Sequence, residues 1–126
     1  ELTGAFMNDA LVGYACVGPT PATDGTYDLY WIAVHPDAQG AGVGAALMAD
    51  VEHRLAVRQA RLLVIETSSR DDYAPTRRFY QRRGYAESAR LRDFYAPGDD
   101  RIVLTRRVVV PSPAVPGTLP TPAPRI

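Results

Sequence analysis

The stretch "VHPDAQGAGVGAALM", residues 34–48, restricts the fold more than any other part of the chain. It closes a strand-like run, "YDLYWIAV", bends through His-Pro-Asp and places Gly40, Gly42 and Gly44 at every second position. Val43, Leu47, Val51 and Leu55 then recur at i, i+4, while Asp50, Glu52, Arg54 and Arg58 lie mostly off that stripe, so an amphipathic helix is expected to about Gln59. A strand, a glycine turn and a helix in succession call for a sheet with a helix packed back onto it. The turn also has chemical meaning. Amides before and within the first turn of a helix lack intrahelical partners and sit at the positive end of the macrodipole, and missing Cβ atoms let a phosphate approach them.

Three kinds of phosphate loop compete for these glycines. A P-loop needs Lys and then Ser or Thr after its last glycine, but Gly44 is followed by Ala45 and Ala46. A dinucleotide fingerprint fits Gly40, Gly42 and Ala45, with Glu66 ending the next strand as the ribose ligand. Against that reading, "HPDAQ" separates strand from glycine, and too few β-α units follow for a doubly wound sheet; an NAD- or nucleotide-binding domain stays as an alternative. The third pattern is Q-x-x-G-x-G, running Gln39, Gly40, Ala41, Gly42, Val43, Gly44.

The remaining chain reads as short elements. "LTGAF" and "ALVGYACV" are strands joined at "MND", and "GPTPATDGT" is a loop. "YDLYWIAV" places Leu29, Trp31 and Ala33 on one face and Tyr30, Ile32 and Val34 on the other, which predicts a central strand covered on both sides. "RLLVIETSS" is a buried strand whose apolar run stops at Glu66. Asp71, Asp72 and Pro75 open a second helix that Gly84 stops. A hairpin with the turn "APGDD" closes the domain. The order β-β-β-α-β-α-β-β gives an α/β domain with a mixed sheet.

Composition narrows the function classes. Of 126 residues, 46% are hydrophobic and 22% charged, with a formal net charge of zero, so no dedicated nucleic-acid or anionic-membrane surface is expected. All fourteen basic residues are Arg. The one cysteine, Cys16, rules out an internal disulfide and reads as a buried core thiol; His35 and His53 lack partners at metal-ligand spacing, so no metal is expected. No apolar run approaches the roughly 18 residues of a membrane span, and the default compartment is the cytoplasm. Residues 1–110 form one domain; residues 111–126, "PSPAVPGTLPTPAPRI", form a Pro-rich tail expected to be extended or disordered. The chain opens on "ELTGAF" without Met, the look of a fragment.

With "RRFYQRRGY" downstream, "VHPDAQGAGVGAALM" resembles the GNAT superfamily of acyl-CoA-dependent N-acyltransferases, whose signatures are a strand-P-x-x-Q/R-x-x-G-x-G/A-helix element and a helix ending F-Y-x-x-x-G-F/Y. The resemblance covers about residues 10–107. It implies a mostly antiparallel mixed sheet with helices on both faces, here without the family's first strand and first two helices. It implies acetyl-CoA as co-substrate, with its pyrophosphate on the amides from Gln39 through Gly40, Ala41, Gly42, Val43 and Gly44 to Ala45. The pantetheine arm would lie between the strand ending Ile32-Ala33-Val34 and the strand ending Glu66-Thr67-Ser68, which splay apart in the family. Tyr80 takes the position of the general acid; Glu66 and Asp28 are candidates for the base, beside bulk water. Tyr73 stands where many members carry a cofactor-contacting Asn, which leaves that contact to its hydroxyl or to Ser68 and Ser69.

The implied reaction is transfer of acetyl to a primary amine of a small molecule or protein by direct attack in a ternary complex. A catalytically degenerate CoA-binding or regulatory remnant is the non-enzyme alternative. The acceptor wall would then come from absent elements, from loops or from a second copy in a homodimer. "RDFYAPGDDR" lies where the family's acceptor-facing loop falls, and Asp93, Tyr95, Asp99 and Asp100 there are candidates for attracting a cationic amine or for plain turn chemistry. Arg77, Arg78, Arg82 and Arg83 read as a solvated helix face, with one or two available to the CoA 3′-phosphate.

Overall fold

The structure is a computed structural model and describes residues 1–108. The expected domain boundary near residue 110 and the Pro-rich tail lie outside those residues. Six strands form one sheet in the order β1-β2-β3-β4-β6-β5, with two α-helices packed on it. Strand β1 (Leu2–Met7) and β2 (Ala10–Pro19) form a hairpin turned at Asn8 and Asp9, both left-handed, as a two-residue turn matched to strand twist requires. Strand β3 (Thr26–Val34) pairs antiparallel with β2 and parallel with β4 (Leu62–Ser68); every other pairing is antiparallel. Helix α1 (Val43–Val57) makes the β3-to-β4 crossover, and α2 (Ala74–Arg82) links β4 to the closing hairpin of β5 (Ala86–Ala96) and β6 (Asp99–Arg107).

The stripe Val43, Leu47, Val51, Leu55 is buried as its spacing predicts, with Met48 and Ala56 beside it. It meets Ala15, Val17, Leu29, Leu63, Ile65, Ile102 and Leu104 of the sheet and Tyr80 of α2 in one core. Each large side chain so enclosed contributes about 1.5–3 kcal/mol. At the end of α2 the chain turns at Gly84, left-handed at φ 91°, as its C′ position asks.

Two expectations are corrected. Strand β3 is central but is not covered on both sides: Tyr30 and Trp31 are each 52% exposed. A bulge is the reason. Val17 pairs with Leu29 and Cys16 with Trp31, so Tyr30 is an extra residue and the alternation changes parity there. Leu29 and Ile32 therefore both face the core, opposite Val17 and Ala15. Secondly, among the described residues both helices occupy the same face. A β-α-β crossover of fixed hand puts α1 on one side, and α2 joins it through Tyr80 and the Glu52–Arg83 pair. The other face stays open, and half-buried Cys16 belongs to that face rather than to the core. No helix among the described residues is long and apolar enough to cross a membrane.

Candidate active site

The parallel ladder between β3 and β4 is short. It runs from Thr26–Leu62 to Leu29–Ile65 and stops, although β3 continues to Val34 and β4 to Ser68. Beyond that point β3 pairs only with β2 and β4 only with β6. The two strands fork, and their facing edges carry backbone groups without a ladder partner. The bulge at Tyr30 sits where the fork begins.

At the end of the β3 prong the chain makes one 3-10 turn, Pro36–Ala38, capped by His35 Nδ1, which accepts the Asp37 N–H at 3.1 Å. Ala38 is buried and anchors the turn, which explains the "HPDAQ" interval. Gln39, exposed, ends the turn. Gly40 and Gly42 follow at φ 84° and 78°, the left-handed region that favours glycine, and a Cβ on either would meet no atom within 4 Å. Gly42 caps α1 with no side-chain hydrogen bond, and the first turn of α1 holds no carboxylate. Among the described residues no group accepts a hydrogen bond from the amides of Gly40, Gly42, Val43, Gly44 or Ala45, while Ala46 donates to Gly42. The result is an open cradle of donors at the positive end of a 15-residue helix, suited to an anion.

Helix α2 reaches this cradle. A Cβ on Gly44 would stand 3.5 Å from Phe79 Cζ and 3.9 Å from Val34 Cγ2. Next to Phe79, Tyr80 is buried between the Phe79 and Tyr85 rings, edge-on to both at 5.3 and 5.8 Å. Burial pushes its phenol up to about 12, because the phenolate would be poorly solvated there. Its hydroxyl has no hydrogen-bond partner among the described residues and is not one of the fully enclosed polar atoms.

On the open face, Asp28, Leu29, Tyr30, Val64 and Glu66 line a cleft of about 170 Å³ at the base of the fork. Asp28 and Glu66, distant in sequence, thus share one cleft. Asp28 lies within the paired ladder; Glu66 is the first β4 residue past it. Glu66 forms an ion pair with Arg101 of β6, whose guanidinium lies over the Phe94 ring at 5.2 Å. Tyr95, edge-on to Phe94, has its phenol pushed up by partial burial and then by the Glu66 charge.

The tertiary contacts reassign several polar residues. Ser68 Oγ donates to Asp99 and accepts the Arg70 N–H, so that hydroxyl is already engaged. Asp100 is buried and, with Asp93, is consumed in the hairpin; of the four residues expected to attract an amine, only Tyr95 remains uncommitted. Arg77 donates to the Ser68 and Arg70 carbonyls and Arg83 pairs with Glu52, so these two are structural. Arg78 and Arg82 are exposed and make no ion pair among the described residues. Tyr73 is exposed just before α2. Sequence reasoning missed Arg101 and Phe94; only the register of β6 against β4 and the irregularity in β5 bring them to the cleft.

Comparison with known proteins places this arrangement. A family model described as "Acetyltransferase (GNAT) domain" matches residues 3–87. A GNAT-family acetyltransferase structure from Desulfovibrio desulfuricans is 52% identical, with a TM-score of 0.83 over 86% of this chain and 68% of that one. The ribosomal-protein-S18-alanine N-acetyltransferase from Escherichia coli shares the fold at 21% identity, with a TM-score of 0.77 over 91% of this chain and 73% of its own. An aminoglycoside 6′-N-acetyltransferase solved with coenzyme A shares it at 19% identity, with a TM-score of 0.73 over 90% and 74%. A search of curated proteins returns no match.

Proposed function

The chain belongs to the GNAT acetyltransferase family, and we propose that it transfers acetyl from acetyl-CoA to a primary amine of a small molecule or protein, by direct attack in a ternary complex. The observation that carries this reading is the fork. It joins a donor cradle at Gly40–Ala45 on the helix-bearing side to a carboxylate-lined cleft on the open side. The fit to a pyrophosphate rests on five unpaired amides and on glycines before which no atom stands.

Acetyl-CoA supplies a thioester carbonyl activated toward amines. The amides of Gly40, Gly42, Val43, Gly44 and Ala45 bind its pyrophosphate, and Arg78 or Arg82 pairs with the 3′-phosphate. Backbone N–H groups of Ile32 and Val34 on the β3 prong, which alternate away from β2, hold the pantetheine arm and polarise the carbonyl, the preorganised-donor effect, while the Ala33 N–H is turned to β2. Glu66 takes the proton of the incoming amine, directly or through water, and Asp28 is second in line.

Tyr80 donates to the departing sulfur. A phenol near 12 is a weaker acid than a thiol in water, so desolvation has to act on both partners. A thiolate held beside the buried phenol gains proton affinity for the same reason as the phenolate does, which keeps the donation feasible.

Calorimetry with acetyl-CoA and turnover across a panel of amines test the proposal. Tight acetyl-CoA binding with amine-dependent CoA release is expected. Binding without turnover points to a CoA-binding remnant, and NAD binding in place of CoA binding overturns the reading.

A further inference from the structure

We propose that Asp100 is a positioning residue that clamps the acceptor side of the site to the end of β4; this rests on the acyltransferase reading above. Asp100 is the one buried carboxylate among the described residues, 8% exposed, at the start of β6. All of its polar groups are used. Its N–H donates to Ser69 Oγ at 2.7 Å and its carbonyl accepts the Ser69 N–H at 3.0 Å, which ties it to the chain just past the β4 prong. Its carboxylate faces the other way: Oδ1 accepts the Asp93 N–H at 3.0 Å and Oδ2 accepts Arg90 Nη1 at 2.9 Å.

Asp93 begins the irregular part of β5, where regular pairing with β6 lapses between Leu91 and Ala96. Its φ of 55° lies in the left-handed region, which a residue with a Cβ adopts only where its surroundings hold it there. Oδ1 of Asp93 accepts the Gly98 N–H at 2.8 Å and closes the turn. The segment held in this way carries Phe94 and Tyr95, both about half exposed, and Phe94 covers the Arg101 guanidinium that pairs with Glu66. The connection therefore runs Asp100, Asp93, Phe94, Arg101, Glu66. A buried carboxylate with two charge-assisted or amide donors is costly to disturb, so the strained segment stays over the cleft. None of these contacts touches the Gly40–Ala45 cradle, so the clamp sets acceptor geometry independently of the donor.

The test uses the full chain with Asp100→Asn and, approaching the clamp from the β4 side, Ser69→Ala. Amide hydrogen exchange of residues 92–98 should speed up roughly ten-fold or more in Asp100→Asn and by less in Ser69→Ala, while residues 62–66 keep their rates. In Asp100→Asn, with spermidine and a tripeptide bearing a free α-amine as probes, the acceptor KM should rise about five-fold or more while acetyl-CoA Kd stays within about two-fold. Unchanged exchange in both variants, or in Asp100→Asn a loss of acetyl-CoA affinity as large as the rise in KM, overturns the clamp. A wild-type chain that binds acetyl-CoA but turns over neither amine would count against the acyltransferase reading alone, since the exchange rates decide the clamp by themselves.

Discussion

The ring of Phe79 on α2 lies against the first turn of α1 at Gly44, with Cζ 3.5 Å from where a Cβ on Gly44 would stand. That contact joins the two sequence signatures in space, and it separates two kinds of glycine in the turn. Gly44→Ala places a methyl at ordinary contact distance from Phe79, so stability should change by less than about 0.5 kcal/mol. Gly42→Ala forces a Cβ into the left-handed region at φ 78° and should cost about 1–2 kcal/mol. Thermal melts check the stability difference. Calorimetry should find acetyl-CoA affinity lowered in Gly42→Val, and equal affinity there would remove the cradle.

Tyr80→Phe deletes a hydroxyl that bonds to no described residue, so the melting temperature should hold. Turnover should fall by roughly ten-fold to a thousand-fold with acetyl-CoA affinity kept. Steady-state kinetics decide it: an unchanged kcat takes Tyr80 out of the mechanism.

Glu66 and Asp28 share a cleft, but only Glu66 stands past the end of the parallel ladder. Glu66→Gln should therefore lower kcat by about ten-fold to a hundred-fold, with Asp28→Asn within about three-fold of wild type. The opposite order would transfer the base role to Asp28.

Asp100 gives a prediction in pH. Its carboxyl is held below the ordinary range, first by the Asp93 amide and then by Arg90. A carboxyl with a lowered folded pKa adds stability above its unfolded value of about 3.9 and loses it as the pH falls through the folded value. Wild type should thus be more stable than Asp100→Asn at neutral pH, with the gap closing only below about pH 4. Denaturant midpoints for both, measured from neutral to acid, check this; a gap that closes near pH 6 would point to another group.

Glu52 accepts from Arg83 at 2.5 Å, Arg106 at 2.6 Å and the Tyr85 hydroxyl at 2.9 Å, which links α1, α2 and β6. Glu52→Ala leaves two partly buried guanidiniums unpaired and should cost about 2–4 kcal/mol. Chemical denaturation measures the loss, and acetyl-CoA affinity at low temperature should stay near wild type.

The order of elements, the α1 stripe, the glycine turn and the Gly84 stop were legible in the sequence because they are local. Period, caps and left-handed glycines act within a few residues. The same locality explains why Gln39 to Ala45 and Phe79-Tyr80 stood out before any fold was known. The bulge at Tyr30 was not legible. An extra residue in one strand is defined only against its partner, and it reversed the faces assigned to Trp31 and Ile32. The acidic hairpin misled for a related reason: whether the Asp99 carboxylate faces a ligand or Ser68, and whether the Asp100 backbone meets Ser69, depends on where β4 ends in space, which the hairpin's own residues do not encode.

By itself, then, the sequence determined which segments form and which of them leaves backbone donors open at a helix start, through short-range backbone preference and spacing. Tertiary structure alone decided the fork between β3 and β4, the meeting of Asp28 with Glu66, and the Arg101–Phe94 contact above them. Each of these depends on strand register, and register is fixed by packing between residues far apart in the chain.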